Sequence, residues 1–180
     1  RTASREPVGL GMLEEQHRPR APAVGDVLRR LTAACPRAWG VLAPAAIGLH
    51  PDHLLVRDAA LRLLRAGHTV SLYAELPYCV TYGWAAWVTG AAPDPHLDVD
   101  AHWEPALAPL RAAGLDHRAE VVRLGEAARA AKLEALRAYA TQYPTLTRGP
   151  LDVLAHPEVL GHEVVWRLSA PGPGRGTTRA

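Results

Sequence analysis

Residues Gly48-Leu49-His50-Pro51-Asp52-His53 constrain this chain of 180 residues more than any other stretch. They place two imidazoles and a carboxylate within four positions, directly after a short apolar run, Val41-Leu42-Ala43-Pro44. A long apolar-periodic segment, Leu54 to Leu64, follows at once. That order predicts a strand, a loop and the first turn of a helix, which is where open α/β sheets put their chemistry. Pro51 suits the first helical position, because the amide hydrogen it lacks would be unpaired there in any case. His50 then falls at the cap, with Asp52 and His53 in the first turn. Residues three apart share a helix face, so the two imidazoles converge on one point at the carboxyl edge of a sheet. Such a point invites a metal ion.

The chain is 48% hydrophobic, enough to bury one sizeable core, and one domain is the natural count. No long uninterrupted apolar run is present, so no membrane span is expected. Arg1 to Arg5 lead into no apolar stretch of the kind that marks a secretory signal. Cys35 and Cys79 lie far apart and match no metal or disulfide spacing, which points to reduced thiols and a cytoplasmic protein. The net charge is +2, with Lys132 the only lysine and the remaining basic residues all arginine. Arginines alternate with acids, as at Arg57 and Asp58 or Arg118 and Glu120, the pattern of a solvated face. No basic stripe with interleaved aromatics appears, so nucleic acid is not an expected partner.

Along the chain, residues 1–24 are interrupted by Pro7, Gly9, Gly11, Pro19 and Pro22 and read as an irregular segment. A helix is expected over Asp26 to Ala34, ended by Pro36. After the strand Val41 to Pro44, a second helix is expected over Asp52 to Arg65 and closed by Gly67, with Val56 and Leu63 inward and Arg57, Arg62 and Arg65 outward. Thr69 to Ala74 reads as the next strand, which completes a βαβ unit. Further on, a short helix is expected over Glu104 to Ala113, a strand over Ala119 to Leu124, the longest helix over Glu126 to Tyr139 and a last strand over Glu163 to Leu168. Residues 170–180 read as a disordered tail. The organisation is thus 1–24 irregular, 25–169 a single domain and 170–180 tail.

Leu76 to Pro105 has a different character. It carries Tyr78, Tyr82, Trp84, Trp87 and Trp103 among several Gly and Pro residues, with little period of either kind. A long aromatic loop in a compact domain is usually functional, as a lid or substrate wall. The competing reading is that these rings fill a satellite core beneath the loop.

Several segments together resemble a known family. The run Gly-Leu-His50-Pro51-Asp52-His53 before a helix, then Tyr73-Ala74-Glu75-Leu76-Pro77-Tyr78, then Tyr82-Gly83-Trp84, is similar to the LmbE-like (PIG-L) zinc-dependent N-acetylglucosaminyl deacetylases. Lys132-Leu133-Glu134-Ala135-Leu136 with Tyr139, Thr141 and Gln142 resembles that family's Lys-x-x-Ala helix. Glu163-Val164-Val165-Trp166 resembles its closing Glu-x-x-Trp strand. The likeness runs from about Val41 to Trp166. It implies a Rossmann-like three-layer α/β fold with a mostly parallel sheet, incomplete on its amino-terminal side, and hydrolysis of the N-acyl group of an amino-sugar conjugate. By the resemblance, His53 is the zinc ligand, His50 stabilises or protonates the tetrahedral intermediate and Asp52 fixes an imidazole tautomer. Glu75, Tyr78 and Trp84 are the expected substrate contacts, while Lys132 and Gln142 serve packing and capping. Zn2+ with an open coordination position would lower the pKa of its bound water to roughly 7.

The departure from the pattern is large. The family's other zinc ligands and its general base come from a His-x-Asp-Asp motif after an amino-terminal strand, and no such motif occurs here. Pro95-His96-Leu97-Asp98-Val99-Asp100 has one residue too many between its acids, and Ala155-His156-Pro157-Glu158 lacks the paired acids. A catalytic zinc needs three protein ligands. The expectation is therefore that an amino-terminal part of the fold is missing and that this chain by itself binds zinc weakly and does not hydrolyse amides. A rival reading is a non-catalytic α/β relative that binds a glycan or a partner through residues 76–103. A nucleotide-dependent Rossmann enzyme is disfavoured, because no Gly-x-Gly-x-x-Gly turn follows a strand. The sequence leaves homo-oligomerisation open.

Overall fold

The structure, a computed structural model, describes residues 21–34, 36, 40–141, 143 and 159–169. Among the described residues, five helices and four strands follow in the order α1 (Ala21–Ala34), β1 (Val41–Pro44), α2 (Pro51–Arg65), β2 (Val70–Tyr73), α3 (Ala86–Thr89), α4 (Val99–Ala112), β3 (Asp116–Arg123), α5 (Glu126–Ala138) and β4 (His162–Ser169). Short 3-10 turns occur at Tyr78–Val80 and Val159–Gly161. No helix among the described residues is long and apolar enough to cross a membrane. Residues 1–20, the segment around His156, Gln142 and the tail 170–180 lie outside the described residues.

The β1-α2-β2 unit forms where the apolar runs and helix signals put it. Pro51 opens α2, and His50 caps it with extended backbone (φ −60°, ψ 133°). At the other end Gly67 takes φ +90°, and the His68 N–H reaches back to Leu63 O at 3.0 Å. That is the left-handed glycine closure that Gly tolerates without a Cβ clash. Ala59, Ala60, Leu63 and Leu64 of α2 are buried. Ala60, Leu63 and Leu64 pack with Ala43, Val70 and Leu72 of the sheet in the main core.

The sheet order is β1-β2-β4-β3. β1 and β2 are parallel, with Val41 opposite Val70 and Pro44 opposite Tyr73. β4 runs against both its neighbours, placing Tyr73 opposite Val165 and Glu120 opposite the same Val165. The expectation of a mostly parallel sheet is therefore corrected: one strand pair of three is parallel. The cause is topological, because β4 inserts between β2 and β3 in the reverse direction while the other three strands share one direction. As a result the carboxyl ends of β1, β2 and β3 and the amino end of β4 meet at one edge.

Alternation along the strands sorts the two faces. Val70, Leu72, Val164, Trp166 and Leu168 point into the core. Leu42, at 61% exposed, and Arg167 point the other way. α5 reaches that second face at the edge where Lys132 meets Glu163, and none of its side chains is fully buried. It is also shorter than α2 and α4, although its content of Ala, Leu and Arg predicted the longest helix.

The aromatic segment is built into the core more than the sequence suggests. Trp103 is buried and meets Trp84, Trp87 and Trp166 edge to face at centroid distances of 6.1, 5.7 and 5.7 Å. Each such pair adds about 0.5–1.5 kcal/mol beyond burial itself. The segment also folds locally, since α4 begins at Val99, five positions before the expected Glu104. Asp98 caps it by accepting the Ala101 N–H at 3.1 Å. α1 likewise starts at Ala21, ahead of the expected Asp26, with Pro22 in its first turn.

Candidate functional site

At the edge where β1 and β2 end, the turn 45–49 carries the chain from β1 into α2. Ala46 (φ 65°) and Leu49 (φ 54°) both adopt left-handed backbone there, although neither is glycine. Left-handed backbone costs a residue with a Cβ roughly 1–2 kcal/mol, and it survives only where the surroundings over-determine it. Part of that determination comes from Glu75, two residues beyond the end of β2. Its side chain is 4% exposed, and its Oε2 accepts the Ala46 N–H at 3.2 Å.

The other carboxylate oxygen, Oε1, lies 3.3 Å from His53 Nδ1. A carboxylate only accepts, so Nδ1 of His53 carries the proton in this pair and Nε2 is left as a lone pair. His50 is held in the opposite sense. Its Nδ1 accepts the Asp52 backbone N–H at 3.3 Å, which puts the proton of the neutral ring on Nε2. The two ring centroids are 5.2 Å apart. In their neutral forms the two rings thus present one Nε2 lone pair and one Nε2–H, neither with a hydrogen-bond partner among the described residues.

Tyr78 closes the cluster. Its ring stands edge-on to His53 at 5.4 Å and lies 6.1 Å from His50. The Tyr78 backbone carbonyl is in turn held by His102 Nε2 at 3.3 Å and the Thr81 hydroxyl at 3.0 Å. Burial raises the Tyr78 phenol above its ordinary pKa of 10.0, and the negative charges of Glu75 and Asp52 add to the rise. The phenol therefore stays a neutral O–H group well into the alkaline range. Room for the ring exists because residue 48 is glycine: a Cβ there would fall 2.0 Å from Tyr78 Cδ1.

The remaining site expectations fall in different places. Asp52 is 83% exposed at its side chain, with Oδ2 4.0 Å from His50 Nδ1. Its backbone N–H, not its carboxylate, makes the hydrogen bond that sets a tautomer, while Glu75 holds the other imidazole from behind. Trp84 turns toward the core, donating Nε1 to Val159 O at 3.1 Å and packing on Trp103 and His162. Lys132 on α5 donates to Glu163 Oε1 at 2.7 Å and His162 O at 3.0 Å, so two distant segments of the family resemblance meet in one ion pair. In the look-alike 95–100, Asp98 is a helix cap and Asp100 accepts Trp87 Nε1 at 2.9 Å.

Two residues escaped the sequence reading. Gly48 gives no local sign of its packing against Tyr78, thirty positions away. Arg57 reads as an outward charge next to Asp58, yet it is 7% exposed. Its Nη1 donates to Ala45 O at 3.4 Å and Ala106 O at 3.3 Å. The available signal was its spacing, four residues after His53 and so on the same helix face. Cys79 is fully buried next to this edge, and burial together with Glu75 raises its thiol far above the ordinary range. It is inert at neutral pH.

No family model matches the chain, and no curated protein matches it either. Solved structures do. Residues covering 84% of this chain superpose on 57% of the A40926 pseudoaglycone deacetylase Dbv21, at 25% identity and a TM-score of 0.52. The chain shares its fold with deacetylases. A triple mutant of a deacetylase of the teicoplanin biosynthetic pathway matches over 86% of this chain and 61% of its own length, at 24% identity and a TM-score of 0.57. The zinc-inhibited form of teicoplanin deacetylase Orf2 matches over 97% and 59%, at 19% identity and a TM-score of 0.53. The chain spans about three fifths of the length of these proteins.

The donor set for a metal is narrow. His53 Nε2 is the ligand that the family resemblance implies, but among the described residues no group of three or more His, Cys, Asp or Glu side chains could hold a metal ion. These residues do not by themselves fit a catalytic zinc, which takes three protein ligands.

Proposed function

We propose that this chain carries the acyl-recognition part of an N-deacetylase site, acting on the N-acetyl group of an amino-sugar conjugate. The observation that carries the proposal is the opposed setting of the two imidazoles: Nδ1 of His50 lies 3.3 Å from the Asp52 backbone N and Nδ1 of His53 lies 3.3 Å from Glu75 Oε1, which assigns the proton of each neutral ring to a different nitrogen. His50 Nε2–H is then the donor for an amide carbonyl oxygen, and its bond strengthens as that oxygen gains negative charge in the tetrahedral intermediate. When the ring takes up a proton at Nδ1 it releases the Asp52 N–H, and the Asp52 carboxylate, with Oδ2 4.0 Å from Nδ1, becomes its partner; Nε2–H then supplies a proton to the departing amine. His53, held by Glu75, keeps its Nε2 lone pair for a proton or a metal ion. Tyr78 walls the site and offers a neutral phenol to the sugar. The fold shared with the teicoplanin and A40926 pseudoaglycone deacetylases supports this reading.

Because the described residues do not complete a zinc site, the chain by itself is expected to hold zinc weakly and not to turn over amides. Titration with an N-acetylglucosamine conjugate, followed by tryptophan fluorescence, should show saturable binding that His50→Ala weakens. Metal analysis of the purified chain should show substoichiometric zinc. Stoichiometric zinc, or measurable deacetylation, would overturn the second expectation, and equal binding by the His50→Ala variant would overturn the first.

A glycan-binding relative using residues 76–103 is the second reading. It rests on the exposed rings of Trp87 and Tyr82. It is weakened by Trp84 and Trp103, which are committed to the core ring cluster. Binding that His50→Ala leaves intact and Trp87→Ala abolishes would favour it.

A further inference from the structure

We propose that Arg57 is a positioning residue of the site, holding the left-handed turn that carries His50 and keeping Glu75 aligned on His53. The inference rests on the reading of the histidine cluster as the reacting centre. Its starting point is a buried cation with poor charge compensation. Arg57 is 7% exposed, its Nε has no hydrogen-bond partner among the described residues, and its ion partner, Asp58 Oδ1, is 3.7 Å away on a half-exposed side chain. Replacing a buried charge of this kind by an apolar side chain of similar volume is often neutral or stabilising, so stability is a weak reason for an arginine here.

What the guanidinium does is geometric. Nη1 spans two backbone carbonyls from different segments: Ala45 O, at the root of the turn, and Ala106 O, on α4. Ala45 is followed directly by Ala46, which holds a strained φ of 65° and whose N–H, in the same peptide unit as the Ala45 carbonyl, donates to Glu75 Oε2 at 3.2 Å. Glu75 then presents its other oxygen to His53 Nδ1. The path from Arg57 therefore runs Ala45 carbonyl, Ala46 amide, Glu75 carboxylate, His53 imidazole, and returns to α2 four residues from its origin. The turn is clamped from one side by a cation on a carbonyl and from the other by an anion on an amide. A rigid planar fork suits bridging two fixed carbonyls better than a flexible ammonium does.

Nuclear magnetic resonance of the chain as it stands tests this without any ligand or turnover. In the wild type, the His53 ring nitrogens should report the Nδ1–H form, and the Ala46 amide should resonate downfield as a donor to a carboxylate. Arg57→Met should lose both signatures while the amides of Leu72 and Trp166 in the sheet keep their shifts. If the Met variant does not fold, Arg57→Gln, which is too short to reach both carbonyls, is read by the same criterion. A folded variant that keeps the wild-type His53 pattern and Ala46 shift overturns the proposal and leaves Arg57 a packing residue. Failure of the deacetylase reading would show separately, as no binding of the N-acetylated sugar by the wild-type chain.

Discussion

His53 Nδ1 and Glu75 Oε1 lie 3.3 Å apart, joining the first turn of α2 to the end of β2 through a carboxylate that is almost wholly buried. The pair spans 22 residues of sequence and fixes which nitrogen of His53 faces outward. Because the second oxygen of Glu75 holds Ala46, one side chain both orients the imidazole and supports the strained turn beside it.

Glu75→Gln should therefore cost stability and alter the site together. A hydrogen bond to a charged group contributes about 1.5–3 kcal/mol, and the amide retains one acceptor for Ala46 or for His53 but not for both. Urea unfolding should show a loss of about 1–3 kcal/mol. An unchanged midpoint would mean that the carboxylate contributes nothing net.

Gly48→Ala should push the Tyr78 ring out of its place, since the new Cβ would fall 2.0 Å from Cδ1 and 2.4 Å from Cγ. Overpacking of this kind costs about 1–3 kcal/mol. Tyr78→Ala removes the obstacle, so the double variant should be more stable than the sum of the two single losses predicts. Strict additivity in thermal unfolding would contradict the contact.

Leu49→Gly tests the strain in the turn. Leu49 holds φ 54° and is partly exposed, so glycine relieves the left-handed penalty while sacrificing little packing. The opposing loss of chain entropy is about 0.5–1 kcal/mol. Stability should rise slightly or hold, in contrast to the loss expected for a glycine placed within α2. A fall of more than about 1 kcal/mol would show that the side chain packs more than its exposure suggests.

Alkaline pH should destabilise the fold. Burial raises the Cys79 thiol above its ordinary 9.0 and the Tyr73 and Tyr78 phenols above 10.0, with Glu75 adding to all three. Each group thus binds its proton more tightly folded than unfolded. Its contribution is full below the ordinary value and is lost as pH rises through that value toward the folded one. Thermal midpoints should hold to about pH 9 and fall beyond it, and Tyr78→Phe should fall less steeply above about pH 10. A midpoint that stays level to pH 11 would contradict the burial of these groups.

The β1-α2-β2 unit was legible because its signals are local: an apolar run, Pro51 at the helix start, Gly67 at its end. The convergence of His50 and His53 followed from helix geometry alone. The start of α4 was written in Asp98, an N-cap residue, and in Asp100 in the first turn, but Pro105, a residue type that suits a first helical position, pointed to a start at Glu104 instead. Arg57 was misread because a charge beside Asp58 on a surface-like helix carries no mark of the two carbonyls waiting for it.

By itself the sequence determined the β1-α2-β2 unit and the edge at which the histidines gather, since capping, periodicity and turn chemistry act over a few residues, while α3 lay hidden in the aromatic segment. The tertiary structure alone decided the reversed insertion of β4, the burial of Arg57 and the assignment of Glu75 to His53. Those outcomes depend on contacts between segments tens of residues apart, where burying a charge or a strained turn is tolerated only because a distant partner arrives to satisfy it.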